Sequence, residues 1–367
     1  ANMQRLYDYN HMNVYAKISQ NTEEIDGYAI AANTEKLFQA LYLSMTQRRK
    51  DAAAFDIYKQ KMVYNTIYHS LSPVETFKDS VNYYNNSNKN FVAPITAEQI
   101  KGYSYSYISN SLDERFSNAA DFVFIFTGNI NIQQFKEYAL KYIGSIKGDA
   151  TERESSIVVP NYFAKGKVNK RFLFKMSTPR TYVNFTLSRG AEFSIKNEIL
   201  GEMTQSLLED IYRDKFRGLS ANFVITTDLY NYPEDIFVAS TYFETDSTSA
   251  NEIEYAIVKE LDGISNGGIT DFDFNRLVKE VASKFDSNNQ RNSYWLTTLE
   301  RRYIDGKDFY NNYASELQSI SKSDFSKFIS GLLGGNRISV VMDGTTQDVG
   351  TARLLKEDFV KEYFDVN

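Results

Sequence analysis

The side chains that do covalent and metal chemistry in proteins are scarce here. The sequence has no cysteine, which removes thiolate nucleophiles, disulfide frameworks and Cys-ligated zinc or iron–sulfur sites. Its only imidazoles, His11 and His69, stand 58 positions apart. Neither has a second histidine four residues away, the spacing that sets two ligands on one helix face. A zinc site built from this chain is therefore not expected; His11 reads as a strand-edge residue and His69 as a helix residue. Three other strings invite chemistry and are better read as structure. Gly331-Leu332-Leu333-Gly334-Gly335 lacks the Lys-Ser/Thr of a phosphate loop and precedes a strand pattern, so it reads as a helix stop. Asn184-Phe185-Thr186 resembles a glycosylation signal but lies inside an alternating strand. Tyr103-Ser104-Tyr105-Ser106-Tyr107 offers rings for stacking on bases or sugars, yet it falls in a helical stretch, where packing is the expected use of an aromatic.

Charge narrows the partners. Lys and Arg number 41 against 47 Asp and Glu, a formal net charge of −6, and the cations are scattered. No basic stripe exists to neutralise a phosphate backbone, so nucleic acid is not an expected partner. No apolar run approaches the roughly 20 residues that span a bilayer; Phe122–Phe126 is strand-sized. Ala1–Asn10 lacks the charged and apolar regions of a signal peptide. With 42% hydrophobic residues, 18 Gly and 5 Pro, the chain has the composition of a packed protein, and 367 residues favour two domains.

The elements that would position any site occur twice. Ala120–Asn129 is an apolar, aromatic run closed by Gly128, and Arg337–Gly344 is built alike and closed by Gly344, 216 positions later. Leu37, Ala40, Leu41 and Met45 follow helical spacing after the cap candidate Asn33. Ile253, Ala256, Ile257 and Leu261 do the same after Ser249, and Ile253 again lies 216 positions after Leu37. Each helix follows a strand pair, Met12–Ser19 with Ile25–Ala31 and Phe223–Tyr230 with Ile236–Phe243. Thr96 with Gln99, and Ser321 with Asp324, have capping-box spacing. The second copy has more in front of it: strand patterns at Val168–Met176 and Thr181–Leu187 and a helical pattern at Lys196–Tyr212. The same offset places their counterparts ahead of Ala1, so the first copy is expected to lack them. The expected fold is α+β, sandwich-like: two homologous units, each an antiparallel-rich mixed sheet with helices on one face. The expected bounds are 1–150 for the first, N-terminally incomplete unit, 151–166 for a polar linker containing Pro160, 167–345 for the second unit, and 346–367 for a tail with a short helix from Leu354.

Three passages carry a resemblance to a known family. Gly128-Asn129 followed by Tyr142-Ile143-Gly144-Ser145-Ile146, then Tyr212-Arg213-Asp214-Lys215 with Gly218, then Asn292-Ser293-Tyr294-Trp295-Leu296 come in the order and spacing of the C-terminal half of pitrilysin/insulinase-type zinc peptidases of bacterial type. The likeness runs from His11 to Gly344. It implies homologous α/β units and a half without the His-x-x-Glu-His zinc motif, of which this chain has no trace.

The resemblance also implies a role. This half would form a wall of the substrate chamber and bind unfolded peptide, while zinc would sit on a partner half; the chain alone would be inactive. The implied substrate-binding residues are Arg213, Gly218 and Ser220. The family's Arg is followed seven residues on by a Tyr, the two reaching across to polarise the scissile carbonyl. Arg213 falls on the Arg position, but Ser220 stands where the Tyr belongs and is too short to reach as far. A cation at a helix C-terminus is also favourable in any protein, by about 0.3 to 1 kcal/mol. The alternative reading is a non-peptidase scaffold or assembly subunit that keeps the fold. As a bacterial type, the protein would lie in cytoplasm or periplasm.

Overall fold

The structure, a computed structural model, describes residues 2–19, 22–151 and 161–347. Its first part runs α1 (Asn2–Tyr9), β1 (Met12–Ile18), β2 (Glu23–Ala29), α2 (Thr34–Thr46), α3 (Ala52–Leu71), α4 (Pro73–Asn85), α5 (Lys89–Val92), α6 (Ala97–Gly102), α7 (Tyr105–Arg115) and α8 (Ile132–Tyr138). After 161 come β3 (Lys167–Lys175), β4 (Thr181–Gly190), α9 (Ile195–Ile211), β5 (Ala221–Tyr230), β6 (Ile236–Thr245), α10 (Ser249–Ser265) and α11 (Asp271–Asn288). The described chain closes with α12 (Asn292–Tyr303), α13 (Tyr313–Ser319), α14 (Lys322–Leu333) and β7 (Asn336–Thr345). Residues 152–160 of the expected linker lie outside the described residues, as does the expected helix from Leu354.

The chain folds as two compact units that do not follow the contiguous bounds read from the sequence. Ala1–Lys61, Lys101–Val159 and Arg291–Gly306 make one; Met62–Ile100, Pro160–Gln290 and Lys307–Asn367 make the other. The second is built on a five-stranded sheet in the order β3-β7-β4-β6-β5. β3 runs parallel to β7, and every other pairing is antiparallel, so the sheet is mixed as expected. Alternation divides its side chains. Val183, Phe185, Leu187, Phe237, Phe243 and Val341 share a core with α9, α10 and α14. Tyr182, Val340 and Met342 point the other way, into a cluster with Phe77 and Tyr84 of α4. Helices therefore cover more than one face: α4, drawn from the first part of the sequence, lies against β3, β4 and β7. This explains why Tyr182 through Ser188 of β4 are all buried, as in a strand covered on both faces.

α4 is fixed locally. Pro73 opens the helix where its missing N–H costs nothing, and the Ser72 hydroxyl accepts from the Glu75 N–H at 3.4 Å. Beyond its end, residues 161–164 are tied back to it: Ser87 N–H donates to the Tyr162 carbonyl at 2.8 Å and Ala164 N–H to that of Asn85 at 2.9 Å.

The first unit carries a two-stranded antiparallel sheet, β1 with β2, on which α1 and α2 pack through Tyr7, Met12, Val14 and Ala40. The expected strand over Ala120–Asn129 is corrected. Ala119–Asp121 is a 3₁₀ turn, and Phe122–Thr127 joins no ladder. Its counterpart β7 lies between β3 and β4, and the described residues of this unit offer no equivalent of that pair. Two local expectations also change. The capping box at Thr96 is made, with Thr96 N–H to Gln99 Oε1 at 2.7 Å and Gln99 N–H to Thr96 Oγ at 3.2 Å, but its helix stops at Gly102. A new helix starts from Ser104, so the Tyr103–Tyr107 run straddles a break. Gly344 does not end β7, which runs to Thr345; a Cβ there would lie 2.6 Å from the Arg180 nitrogen, so glycine serves close approach.

Candidate functional site

Arg213 belongs to a π-helical turn, Tyr212–Phe216, that continues α9 before β5 begins. α9 is held by its buried face, Ile199, Met203, Leu207 and Ile211, and this places its last turn at the rim of the core. The Arg213 side chain is 59% exposed, and its guanidinium is engaged locally, with Asp210 one turn back and with Asp214 at 3.5 Å. Asp210, itself buried, also pairs with Arg276 of α11, which reaches Glu280 at 2.8 Å. The hydrogen bond to Asp210 raises the Arg213 pKa, so the group stays cationic. Beside this network, Phe272, Asn275, Arg276, Lys279, Glu280 and Ser283 line an open hollow along α11; Arg213 is not part of its lining.

Ser220 is likewise turned inward on its own helix end. Its hydroxyl and its N–H both donate to the Phe216 carbonyl, each at 3.2 Å. Gly218 has open space where a Cβ would stand, so no close contact demands glycine there. The three residues thus share one helix-to-strand turn, but both polar groups are satisfied by neighbours in that turn. Peptide recognition by Arg213 would require it to leave Asp210.

A constellation that the sequence did not flag lies just beyond. Asn222, with φ 52°, sits at a bulge between Ala221 and Val224 and donates from Nδ2 to Glu244 Oε1 at 2.7 Å. Glu244 is buried and also accepts from Arg180 at 3.1 Å and from the Tyr242 hydroxyl at 3.0 Å. Burial, followed by that bond to Glu244, pushes the Tyr242 phenol well above its ordinary range. Burial opposes ionisation of Glu244, and the bonds from Asn222, Arg180 and Tyr242 outweigh it to lower the pKa. No spacing in the sequence joins residues 180, 222 and 244; the sheet ladders do.

The histidines are far from this turn in chain terms and do not make a metal centre. His11 has φ 47° in the turn before β1. His69, near the end of α3, places Nε2 2.8 Å from Asp79 and Nδ1 3.9 Å from Glu75. Among the described residues no group of three or more His, Asp or Glu could hold a metal ion. The described residues do not fit a zinc ion of the kind the motif resemblance implies for a partner half.

Residues 111–281 match the sequence model of the peptidase M16 inactive domain. That stretch of the chain is similar to an M16 inactive domain. The motif resemblance to the C-terminal half of a pitrilysin-like peptidase stands with that match. The fold agrees over nearly the whole chain. It is similar to the periplasmic protease PqqL from Escherichia coli, with a TM-score of 0.72 and 16% identity over 94% of this chain and 38% of that one. A protease from Helicobacter pylori gives 0.69 and 14% over 92% and 83%. A peptidase M16 inactive domain from Pseudomonas fluorescens gives 0.69 and 11% over 94% and 84%. At these identities the likeness is one of fold. The chain spans little more than a third of the length of PqqL. No curated protein matches the sequence. Among the described residues no helix is long and apolar enough to cross a membrane.

Proposed function

We propose that this chain is an M16 inactive domain that forms one wall of the substrate chamber of a zinc metalloendopeptidase and binds unfolded peptide there, with zinc carried by a catalytic half of the same family. The match over residues 111–281 is the observation that carries this reading. Arg213 is the proposed peptide contact. It remains a cation at neutral pH and stands exposed beyond the end of a buried helix. Gly218 leaves the turn bare for a peptide backbone to pass, and Ser220 would supply a short hydroxyl. The two repeats are read as homologous units of one ancestral fold, and the compartment as bacterial cytoplasm or periplasm.

The test is hydrolysis of an unstructured peptide by the natural polypeptide or complex that contains this chain. Cleavage that needs both this chain and the zinc-bearing half supports the chamber reading. The scaffold reading has its own observation, since Arg213 and Ser220 are both engaged locally. An assembled, zinc-loaded protein that binds no peptide and cleaves none would decide for the scaffold.

A further inference from the structure

At the end of the five-stranded sheet where β5 begins, one construction occurs twice: an exposed guanidinium resting on a buried carboxylate. Arg213, 59% exposed, rests on Asp210. Arg180, 55% exposed, rests on Glu244, with Nη1 3.1 Å from Oε2. Arg180 stands just before β4, and its backbone is fixed there. Its carbonyl accepts from Gly344 N–H at 2.8 Å, and a Cβ on Gly344 would lie 2.6 Å from its nitrogen. The carboxylate beneath it is fixed as well, by Asn222 at 2.7 Å and the Tyr242 hydroxyl at 3.0 Å. Strand register brings this group beside the proposed peptide contact. Thr181 pairs with Thr245, and Glu244 with Ala221, so β4, β6 and β5 end level. The backbones of Arg180 and Ser220 are thus two strand spacings apart, roughly 10 Å. The Thr245 hydroxyl ties the turn to β6 through the Leu219 carbonyl at 2.8 Å.

A guanidinium carries five N–H donors, and the bond to Glu244 leaves most of those on Arg180 facing water. A cation that served only to neutralise Glu244 would be covered along with it, whereas more than half of this side chain lies outside. Among the described residues Arg180 pairs with no acid but Glu244, while Arg213 also has Asp214 at 3.5 Å. Its charge is therefore the less compensated of the two. The planar fork of donors on an arginine matches a carboxylate in two parallel bonds. We infer that Arg180 is a second peptide-binding residue of this site, and that the site takes an extended peptide bearing acidic side chains, met by Arg180 and Arg213. The inference rests on the chamber reading for its ligand and adds to it a class of substrate. Glu244 is the positioning residue, since it holds both the Arg180 head and Asn222 at the start of β5. None of this follows from spacing along the chain, because Arg180 meets the turn only across β6.

The test is the binding of two dye-labelled unstructured peptides, alike except for Asp or Asn at every third position, to the natural polypeptide or complex that contains this chain. Fluorescence anisotropy reads the affinity, and a chelator stops cleavage. The Asp peptide should bind about tenfold more tightly at low salt, as two exposed charge contacts allow, and the preference should fade at high salt. Arg180→Gln should cut the preference to about threefold, and Arg180→Lys, which keeps the charge, should retain most of it. Equal binding of both peptides by the wild-type protein, or a Gln variant with the full preference, would overturn the inference and leave the chamber reading standing. A protein that binds neither peptide would overturn both. The wild-type comparison needs no variant, so it decides the matter even where Arg180→Gln fails to fold.

Discussion

The Asp210 carboxylate sits buried between two guanidinium groups, and this decides how Arg213 behaves. The Arg213 side chain is exposed and Arg276 also holds the carboxylate, so Arg213 can leave Asp210 without stranding a buried charge. If the assembled protein cleaves peptide as proposed, Arg213→Ala should lower that rate by about 10²-fold or more, the effect of losing a donor to the scissile carbonyl, while Tm changes little. Ser220→Tyr should leave the rate unchanged or raise it. An alanine variant with full activity would reduce Arg213 to a helix-end cation. Glu254 makes a different case. It lies on α10 with Oε1 accepting from the Ser339 hydroxyl at 2.6 Å, and burial raises its pKa. A carboxyl raised on folding adds stability that is complete below the unfolded value, about 4.3, and is lost as pH rises through the folded one. Glu254→Gln keeps the acceptor without the charge, so thermal melts should show a higher Tm than wild type at pH 7 and a smaller gap at pH 4. At this scale the sequence was legible only where identity alone mattered, as with absent thiols and paired histidines. The Arg180, Asn222, Tyr242 and Glu244 cluster was hidden, because its members meet through strand register.

Among the elements, α14 shows how much a few residues at a boundary can specify. The Ser321 hydroxyl accepts from Asp324 N–H at 3.2 Å while Asp324 Oδ2 accepts from Ser321 N–H at 3.0 Å, and Lys196 adds a contact at 2.8 Å. The hydrogen bond from Lys196, then those from Ser321, hold the Asp324 carboxyl far below the usual range. A depressed carboxyl contributes stability above its unfolded value, about 3.9, and loses it as pH falls toward the folded one. Asp324→Asn should cost about 1 kcal/mol at pH 7 and little near pH 2, measured by denaturant titration at both. Such boundaries were readable from spacing: β3 to β6, α9 and α10 all form within a few residues of their patterns. The first-unit strand was not, because apolar alternation shows that a segment wants partners and says nothing of whether they are present. α4 was also unforeseen as a cover for the second sheet. Phe77, 1% exposed between Tyr182 and Tyr242, anchors it, and Phe77→Ala should cost about 3 to 5 kcal/mol in the cooperative unfolding of that unit.

For the whole molecule, the repeat read from the sequence and the grouping of contacts do not coincide. Residues 62–100 complete the second unit, and residues 291–306 complete the first. The bounds expected from contiguous stretches do not include these two groupings, which depend on tertiary packing. A chain severed within residues 152–160 should consequently stay together. Size-exclusion chromatography of a nicked sample is expected to give one peak at the mass of the intact protein, and release of two free fragments would contradict the packing of α4 on the sheet.

That helix has a practical meaning for anyone dividing the protein. A piece cut at the visible repeat, residues 167–345, would carry all five strands and every helix on one side, and would look complete on paper. It would also bear a bared apolar floor, Tyr182, Tyr242, Val340 and Met342, where Phe77 and Tyr84 belong. Such a floor is a glue for like molecules. The smallest soluble version of this half of the repeat is one that brings its borrowed helix along, tethered or supplied as a peptide spanning Ser72–Asn88.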